Sequence, residues 1–459
     1  MAKNGIVSGL QICYYDGERI ENEPENCIHV PFNSIVDYFI KTKNRFPSLI
    51  NSDNTNLSTT ELSELQDEFK KSMNKVQNIL DNKIINIKKE IQKLKPNFND
   101  EKLRIFAYGC RETVLIKHLV KNILIAADEL GYETYLHTQD NDMESCNEVF
   151  YLKALRDFNP HITINVNHLN NDFISDEVFN FIWFQDYMPL LRKESPPIHL
   201  RDRDIVYFLT EHLGKLLREK DIPSKYQSFC IDTNIYKKRS NIERIKKIVF
   251  IGSSYLERYE SVITPDKEIA CKELFELNIK YGYEAIGINK SEYLAEKYNI
   301  SEKDISSLRG YIQRDLLLKY IINLNLDYEI EVYGYGWEYD KDIFKHYKGH
   351  LAYGEDISKV YNSAVYGLVV GGYVMQQRTL ESAASGAIPL VFDARESGAD
   401  LNHKCFEDSL LFFKRPDDLR ILLSQVHNKD LDCIVNENSY KQFVEKMVGL
   451  VKKELNEQL

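Results

Sequence analysis

Apolar and polar positions alternate along this chain with two different periods. From about residue 101 to residue 425, short apolar runs typical of strands buried on both faces alternate with stretches that have the helical period of three to four residues. Strands that alternate with helices indicate doubly wound α/β domains built on parallel sheets. The predicted strands are residues 103–108, 133–137, 162–166, 179–184, 205–209, 247–251, 331–336, 365–370 and 388–392.

The first hundred residues contain one long helical pattern. Ser58 and Glu61 have the spacing of a capping box, which marks a helix start, and Pro96 ends the pattern. Such a stripe is either a coiled-coil seam or the face of a helix laid on its own domain. We expect the second arrangement, with self-association through residues 59–95 as the alternative. The stripe consists of Leu62, Leu65, Phe69, Met73, Val76, Leu80, Ile84, Ile87, Ile91 and Leu94.

These patterns divide the chain into four regions. Residues 1–100 form an N-terminal extension with a hairpin around Asp16-Gly17 and the long helix. Residues 101–235 and 236–430 form two Rossmann-like, doubly wound domains that face a cleft, and residues 431–459 form a C-terminal helix that packs back on the first domain.

The segment from 364 to 393 carries the clearest chemical signal. It predicts a buried strand, a turn at Gly371-Gly372, a short helix at 378–385 and a second buried strand. The turn therefore lies at the carboxyl end of a strand and the amino end of a helix. In open α/β sheets ligands bind outside that edge, and helix amino ends attract anions.

Arg378 and Glu381 lie on one face of this short helix. An arginine beside backbone N–H groups suits a phosphate, and a carboxylate can accept hydrogen bonds from both hydroxyls of a ribose. Together they predict a site for a nucleoside diphosphate. The alternative is a structural ion pair between residues three apart, which is common on helix surfaces.

The segment 378–393, RTLESAASGAIPLVFD, resembles the donor site of glycosyltransferases with the GT-B fold, in particular the group 1 type and the spore-protein CgeB-like branch. The resemblance extends over about residues 101–425 and includes the segments 203–210, 230–236, 247–258 and 327–336. It implies a nucleotide-sugar donor in the second domain. The donor-binding residues that it implies are Gly252, Ser253, Arg258, Gly371, Gly372, Arg378, Thr379 and Glu381.

One position departs from the family pattern. Retaining group 1 enzymes usually carry two glutamates eight positions apart, and Tyr373 stands eight positions before Glu381. The stereochemical outcome of the reaction therefore cannot be carried over from the resemblance.

Polar residues also follow the strands of the first domain. His137, Asp140, His168 and Asp186 all lie at the carboxyl ends of predicted strands. An acceptor hydroxyl must lose its proton during glycosyl transfer, so we take His168 and Asp186, which directly follow apolar strands, as the candidate bases. Strand capping and loop closure are the alternative roles.

Composition narrows the functional classes. A net charge of -11 argues against general nucleic-acid binding, and eight scattered cysteines without C-x-x-C spacing indicate neither structural zinc nor a disulfide framework. No apolar run is long enough for a membrane span and no signal-peptide core is present, so we expect a cytoplasmic protein. We expect no metal cofactor. Asp140 and Asp142 do match the D-x-D metal motif, but that motif belongs to a different transferase fold, and here it marks a predicted polar loop.

The sequence therefore predicts a metal-independent glycosyltransferase that moves a sugar from a nucleotide sugar to a glycan, protein or other hydroxyl acceptor. Two alternatives stay open: a nucleotide-sugar epimerase of the same fold, and a non-catalytic binding or scaffold protein. Turnover of a donor without an acceptor would indicate the epimerase, and binding without turnover would indicate the scaffold.

Overall fold

The computed structural model describes residues 12–14, 27–30, 34–38, 58–100, 102–109, 114–138, 148–400 and 405–457. In the N-terminal extension, strands β1 (Ile12–Tyr14) and β2 (Cys27–His29) pair in parallel and precede a short helix, α1 (Ile35–Tyr38). The predicted hairpin turn at Asp16-Gly17 lies outside the described residues.

The long helix of the extension is α2 (Thr59–Ile91), and it begins at the capping box. Ser58 Oγ accepts a hydrogen bond from Glu61 N–H, and the Glu61 carboxylate accepts one from Ser58 N–H at 2.8 Å. The helix ends a turn earlier than the apolar pattern, which runs to Leu94. Met73 is exposed, and the buried members of the stripe are Phe69, Val76, Leu80, Ile84 in part, Ile87 and Ile91.

The first domain is a six-stranded parallel sheet within the described residues. The strand order is β4-β3-β5-β6-β7-β8, and the central strands β5 and β6 are buried at every position. Helix α2 packs on α4 and covers Val149, Leu152 and Leu155 together with Phe106 of β3. The elements are β3 (Arg104–Gly109), α3 (Val114–Glu129), β4 (Glu133–Thr138), α4 (Val149–Phe158), β5 (Ile162–Val166), β6 (Phe179–Phe184), β7 (Asp204–Phe208), α5 (Glu211–Arg218) and β8 (Ser224–Tyr226).

The second domain is a five-stranded parallel sheet of order β10-β9-β11-β12-β13. The elements are β9 (Ile245–Ile251), α6 (Leu256–Glu260), α7 (Pro265–Tyr281), α8 (Ser291–Tyr298), α9 (Glu302–Tyr311), α10 (Leu317–Asn323), β10 (Glu329–Tyr333), α11 (Glu355–Asn362), β11 (Ala364–Val369), α12 (Gln377–Ala384), β12 (Ile388–Phe392), α13 (Cys405–Ser409), β13 (Leu411–Phe413) and α14 (Asp418–Leu422).

Both sheets change their winding direction at the strand that begins the domain. The change falls between β3 and β5 in the first sheet and between β9 and β11 in the second. Ligands of open parallel sheets bind outside the carboxyl ends of the strands at such a switch point. The predicted fold class, two doubly wound α/β domains behind an extension with a long helix, is confirmed.

Helices α6 to α10 form a bundle between β9 and β10 that the sequence patterns do not predict. The bundle has its own apolar core, which includes Cys271, Leu274, Ile305 and Leu308. Helices α9 and α10 are continuous through a π-helical stretch, Ile312–Leu316. Stretches of this kind are rare and are frequently found at functional sites.

The chain returns to the first domain after the second one. Helices α15 (Leu431–Glu437) and α16 (Tyr440–Glu457) complete the fold, and the Phe443 ring of α16 lies 5.4 Å from that of Trp183 on β6. The two chain segments that pass between the domains are bonded to each other. Ile231 N–H donates to Asn438 O at 2.9 Å, and Tyr440 N–H donates to Ile231 O at 3.2 Å.

One hydrophobic core runs through the junction of the domains. Phe229, Cys230 and Ile231 belong to the same buried cluster as Val374 and Met375 of the second domain. Two chain crossings and a continuous core therefore join the domains on this side.

Cys405 and Cys433 form a disulfide, with their Cα atoms 5.7 Å apart. The scattered cysteine pattern gave no sign of it. The pair forms because α13 packs against α15, which brings together two cysteines that are 28 positions apart in sequence.

Candidate functional site

Two turns meet at the switch point of the second sheet. The first follows β9 and contains Gly252 and Ser253, and the second follows β11 and contains Gly371 and Gly372. The turns are neighbours because β9 and β11 pair directly, with Leu368 opposite Phe250. The sheet topology therefore brings together glycine turns that are more than a hundred residues apart in sequence.

The turn after β9 is closely packed from the side of β10. A Cβ on Gly334, whose φ is +132°, would lie 2.3 Å from Gly252 O, so only glycine fits there. Trp337 Nε1 donates to the same carbonyl at 2.6 Å. Gly252 O is consequently taken by the protein, and so are Gly252 N–H, which donates to Tyr333 O at 2.9 Å, and Ser254 N–H, which donates to Tyr335 O at 2.8 Å. Arg258 lies further along, on α6, and is exposed.

The turn after β11 is held by side chains of its own segment. Gln376 Nε2 donates to Tyr373 O at 2.9 Å, and Thr379 Oγ1 donates to Val374 O at 2.6 Å. Gly371 has a φ of +141°, which favours glycine. Thr379 is fully buried, so its side chain stabilises the turn from beneath.

Two backbone donors of this turn, Val374 N–H and Met375 N–H, are occupied by a carboxylate. Asp400 accepts hydrogen bonds from Val374 N–H and, at 3.1 Å, from Met375 N–H. The pKa of Asp400 lies above its ordinary value, because the effect of burial outweighs that of these two hydrogen bonds. These two donors thus hold an internal anion, which the sequence patterns do not predict because Asp400 lies 26 positions after Val374.

Arg378 and Glu381 form an ion pair on α12, which is the structural alternative considered for this motif. The pair is not at the surface: the Glu381 side chain is completely buried and the Arg378 side chain is 29 % exposed. The pKa of Glu381 lies above its ordinary value, because the effect of burial outweighs the opposing effect of the Arg378 guanidinium. Glu381 Oε2 accepts from Arg378, whereas Oε1 has no hydrogen-bond partner among the described residues.

Three tyrosines surround this ion pair. Tyr236, from the segment that links the domains, and Tyr361, from α11, have buried hydroxyls without a hydrogen-bond partner among the residues described. The Tyr353 ring lies 6.2 Å from that of Tyr236 and 4.9 Å from the imidazole of His118 on α3. Burial raises the pKa of each phenol, as does the charge of Glu381, so all three stay protonated at neutral pH.

Tyr373 faces the first domain across the switch point. Burial raises its pKa to about 12; the charges of Asp400 and Asp186 raise it as well, and that of Arg314 lowers it. Asp186 follows β6 of the first sheet, and Arg314 lies in the π-helical stretch. We use the name crevice for the junction between the carboxyl ends of the two sheets, and define it by Asp186 on the first domain and Tyr373 and Arg314 on the second.

The acceptor-side candidates follow neighbouring strands. His168 lies two residues after β5 and Asp186 two residues after β6, and both are exposed. Asn167 stands between them: its Nδ2 donates to Asp186 Oδ2 at 2.8 Å, and its Oδ1 accepts from Asp186 N–H at 3.1 Å. Desolvation lowers the pKa of His168, which keeps its imidazole neutral at pH 7. His137 ends β4, and Asp140 lies outside the described residues.

Arg314 and Asp315 are site residues that the sequence patterns miss. Asp315 is buried and accepts from Ser254 Oγ and, at 3.1 Å, from Tyr255 N–H. Arg314 donates to Ser253 O at 3.1 Å and stacks on the Tyr255 ring at 4.0 Å. Both therefore hold the turn after β9. No sequence motif marks them, because their role depends on how the helical bundle folds over that turn.

Two cavities are lined by other residues, and the Tyr283 hydroxyl in the wall of the first lies close to Gly372 of the turn after β11. One of about 600 Å³ is lined by residues that include Tyr283, Lys290 and Glu396, and one of about 410 Å³ lies beside Leu191 and Leu216. Neither contains a predicted donor-site residue. Among the described residues no group of three or more His, Cys, Asp or Glu could hold a metal ion, and no helix is long and apolar enough to cross a membrane.

No protein-family model and no curated protein matches the chain. Solved glycosyltransferases resemble it in backbone course. AviGT4, involved in avilamycin A biosynthesis, has a TM-score of 0.45 and 11% identity over 77% of this chain and 98% of its own. A glycosyltransferase from Rickettsia africae ESF-5 has a TM-score of 0.43 and 10% identity over 78% of this chain and 99% of its own. SnogD from Streptomyces nogalater has a TM-score of 0.32 and 9% identity over 76% of this chain and 100% of its own.

Proposed function

We propose that this protein is a glycosyltransferase of the GT-B type. It moves a sugar from a nucleotide-sugar donor, held at the switch point of the second sheet, to a hydroxyl of a glycan or protein acceptor at the carboxyl edge of the first. The arrangement of the crevice supports this, because the predicted donor residues follow β9 and β11 while Asp186 and His168 approach from the other domain.

The observation that carries the proposal is the buried carboxylate of Glu381, whose Oε1 makes no well-formed hydrogen bond to a described residue although the Tyr236 hydroxyl is close enough to lower its pKa. A buried carboxylate oxygen without a hydrogen bond costs about 1–3 kcal/mol or more, and such groups in native proteins usually have a functional reason. Oε1 lies on the helix that follows the switch point, beside the guanidinium of Arg378. A ribose hydroxyl is a donor of the kind this oxygen lacks.

The nucleotide reaches Glu381 only when the tyrosines that cover it move. Tyr353 contacts His118 of the first domain, and Tyr236 belongs to the segment between the domains, so the cover is formed by the domain junction. Relative motion of the domains would admit the donor, and closure around it would exclude water from the transfer step.

The chemistry required of the second domain is electrostatic. When the bond between the sugar and the diphosphate breaks, negative charge develops on the leaving diphosphate, and fixed cations and backbone N–H groups stabilise it. We propose that this stabilisation comes from arginine and from the N–H groups of Gly371 and Gly372 in the turn after β11, without a divalent metal.

On the acceptor side, Asp186 is the better placed base. Asn167 holds its carboxylate and its backbone together, which fixes the side chain at the mouth of the crevice. A carboxylate or a neutral imidazole within hydrogen-bond reach of the attacking hydroxyl can accept its proton. His168, neutral at pH 7, is the second candidate.

A non-catalytic binding protein is the second candidate function, and one observation favours it. Asp400 fills two backbone donors of the turn after β11, and Tyr373 replaces a carboxylate that retaining relatives of the resembled family carry. A protein that only senses a nucleotide could tolerate both features.

A screen of nucleotide sugars and nucleoside diphosphates by thermal shift tests the proposal. A ligand at a hundred times its Kd stabilises the folded protein by about 2.7 kcal/mol, which is a clear shift in Tm. Incubating the stabilising donor with candidate acceptors and detecting the released nucleoside diphosphate then separates the functions. Acceptor-dependent release supports the transferase, and binding without release supports the sensor. The absence of any nucleotide ligand would refute both.

A further inference from the structure

The helix that carries Arg314 places two consecutive side chains, Arg314 and Asp315, against the turn that follows β9. On a regular α-helix, neighbouring side chains diverge by about 100°. In the π-helical stretch Ile312–Leu316, however, Arg314 and Asp315 both contact the turn at residues 253–255. This stretch therefore fastens the helical bundle to the switch point of the second sheet.

Arg314 and Asp315 differ in how fully their polar atoms are hydrogen-bonded. Asp315 accepts hydrogen bonds from a side chain and from the backbone of the turn, so it has a complete structural role. Arg314 makes one hydrogen bond to a described residue, to Ser253 O, and its buried Nε has no partner among the described residues. No ion pair within 4 Å joins its guanidinium to a described carboxylate.

The surroundings of Arg314 fix its guanidinium while leaving room beside it. Stacking on Tyr255 at 4.0 Å orients the planar group. A Cβ built on Gly252 would lie 3.8 Å from Nη1, so the backbone of the glycine turn passes close to the guanidinium. A planar fork with an unused donor, beside a glycine turn, has the geometry that arginine uses for phosphate.

Charge balance singles out the same residue. Arg378 is neutralised by Glu381, and Asp400 adds a negative charge beside the turn after β11. Of the charged groups that act on Tyr373, which are Asp400, Arg314 and Asp186, Arg314 is the cation. Arg314 therefore places a positive charge close to Tyr373 and to the turn after β9.

We propose that Arg314 binds the diphosphate of the nucleotide donor, a role for which the sequence pattern predicts Arg378 and to which the family resemblance adds Arg258. This inference rests on the proposed function, because it requires a nucleoside diphosphate in the crevice. Arg258 is exposed on α6, whereas Arg314 lies at the switch point itself.

The test compares ligands that differ only in the diphosphate. UDP, GDP, ADP, CDP and dTDP are titrated against the full chain by calorimetry, beside uridine, guanosine, adenosine, cytidine and thymidine. Arg314→Ala should weaken the preferred diphosphate by about tenfold to a hundredfold, the range for hydrogen bonds to a charged group, and leave its nucleoside unchanged. Arg314→Lys should lose less, since it keeps the charge but not the fork.

Controls separate this role from a structural one. Arg420→Ala removes an exposed arginine of the second domain and should change neither affinity. If Arg314→Ala does not fold, the same comparison is made with Arg314→Lys, which must still lose diphosphate affinity selectively. Equal losses for diphosphate and nucleoside, no loss, or a diphosphate-specific loss in Arg258→Ala instead would overturn the inference while leaving the proposed function intact. Failure of the unmodified protein to bind any of the diphosphates would overturn both.

Discussion

Replacing Glu381 with alanine should destabilise the second domain strongly. The change leaves the Arg378 guanidinium without its partner at a place where Glu381 has no exposed surface. Breaking a buried ion pair by removing one partner costs about 3–5 kcal/mol, because a charge stays buried and uncompensated. Since 29 % of the Arg378 side chain reaches solvent, we expect about 3 kcal/mol, at the lower end of that range.

A matched double variant separates charge from packing. Arg378→Met with Glu381→Met removes both charges and keeps most of the volume. Replacing a buried ion pair by apolar side chains is often neutral, so the double variant should lie within about 1 kcal/mol of the unmodified protein. The two changes together would then be less harmful than Glu381→Ala alone.

The chain offers a convenient readout of this effect. It contains two tryptophans, Trp183 in the first sheet and Trp337 in the second domain, and both are buried. Urea unfolding followed by tryptophan fluorescence reports on both domains, and a Trp183→Phe background reports on the second alone. A loss below about 1 kcal/mol for Glu381→Ala, the range of surface pairs, would refute the buried-pair reasoning. So would a double variant that is as unstable as the single one.

We make three further predictions, on Arg378, on Asp315 and on the N-terminal extension. Arg378→Lys keeps the charge opposite Glu381 but loses the guanidinium fork, so donor turnover should fall; unchanged turnover in both Arg378→Lys and Arg378→Ala would indicate a purely structural pair. Burial raises the pKa of Asp315 from 3.8 to about 6, an interval worth about 3 kcal/mol. The folded state therefore binds more protons than the unfolded state between these values, and this stabilisation is lost as the pH rises through them. The free energy of unfolding measured in urea should thus fall between pH 4 and pH 7 relative to Asp315→Asn, and parallel pH profiles would contradict this. Deleting residues 1–100 should leave diphosphate affinity within about twofold but impair transfer or solubility, because α4 loses its cover; a soluble truncated protein that transfers at the full rate would make the extension dispensable.

The local patterns predicted elements well where one segment determines its own structure. The capping box of Ser58 and Glu61 starts a helix, and the strand, glycine turn and helix around Gly371 form as predicted, with Gly386 left-handed after α12. These features depend on neighbours within a few residues. Periodicity and turn chemistry are therefore sufficient to find them.

The helical bundle was not predicted because its sequence carries no compact motif. Its core is assembled from several short helices, and its π-helical stretch at Ile312–Leu316 depends on packing over the turn after β9. Arg314 and Asp315 consequently look like ordinary helix residues in the sequence. Only the fold places them at the switch point.

The sequence predicted which residues form the candidate site but not the long-range contacts that those residues make. R-x-x-E identified Arg378 and Glu381 as a pair, yet not that Glu381 is buried beneath tyrosines from two other segments. Two backbone donors that follow the glycines of this turn, Val374 and Met375, are held by Asp400, whose distance along the chain hides the contact. Long-range contacts of this kind follow from tertiary packing, which a single sequence does not reveal.

The bond between the two interdomain crossings has a mechanical consequence. Because Ile231 is hydrogen-bonded to Asn438 and Tyr440, the outgoing and returning segments form one ribbon and cannot slide past each other independently. The continuous apolar core beside this ribbon also resists separation of the domains there. Opening of the crevice would therefore be a rotation about an axis along the ribbon, with a displacement that grows with distance from the ribbon. Such a hinge would widen the mouth of the crevice while the core at its base stays packed.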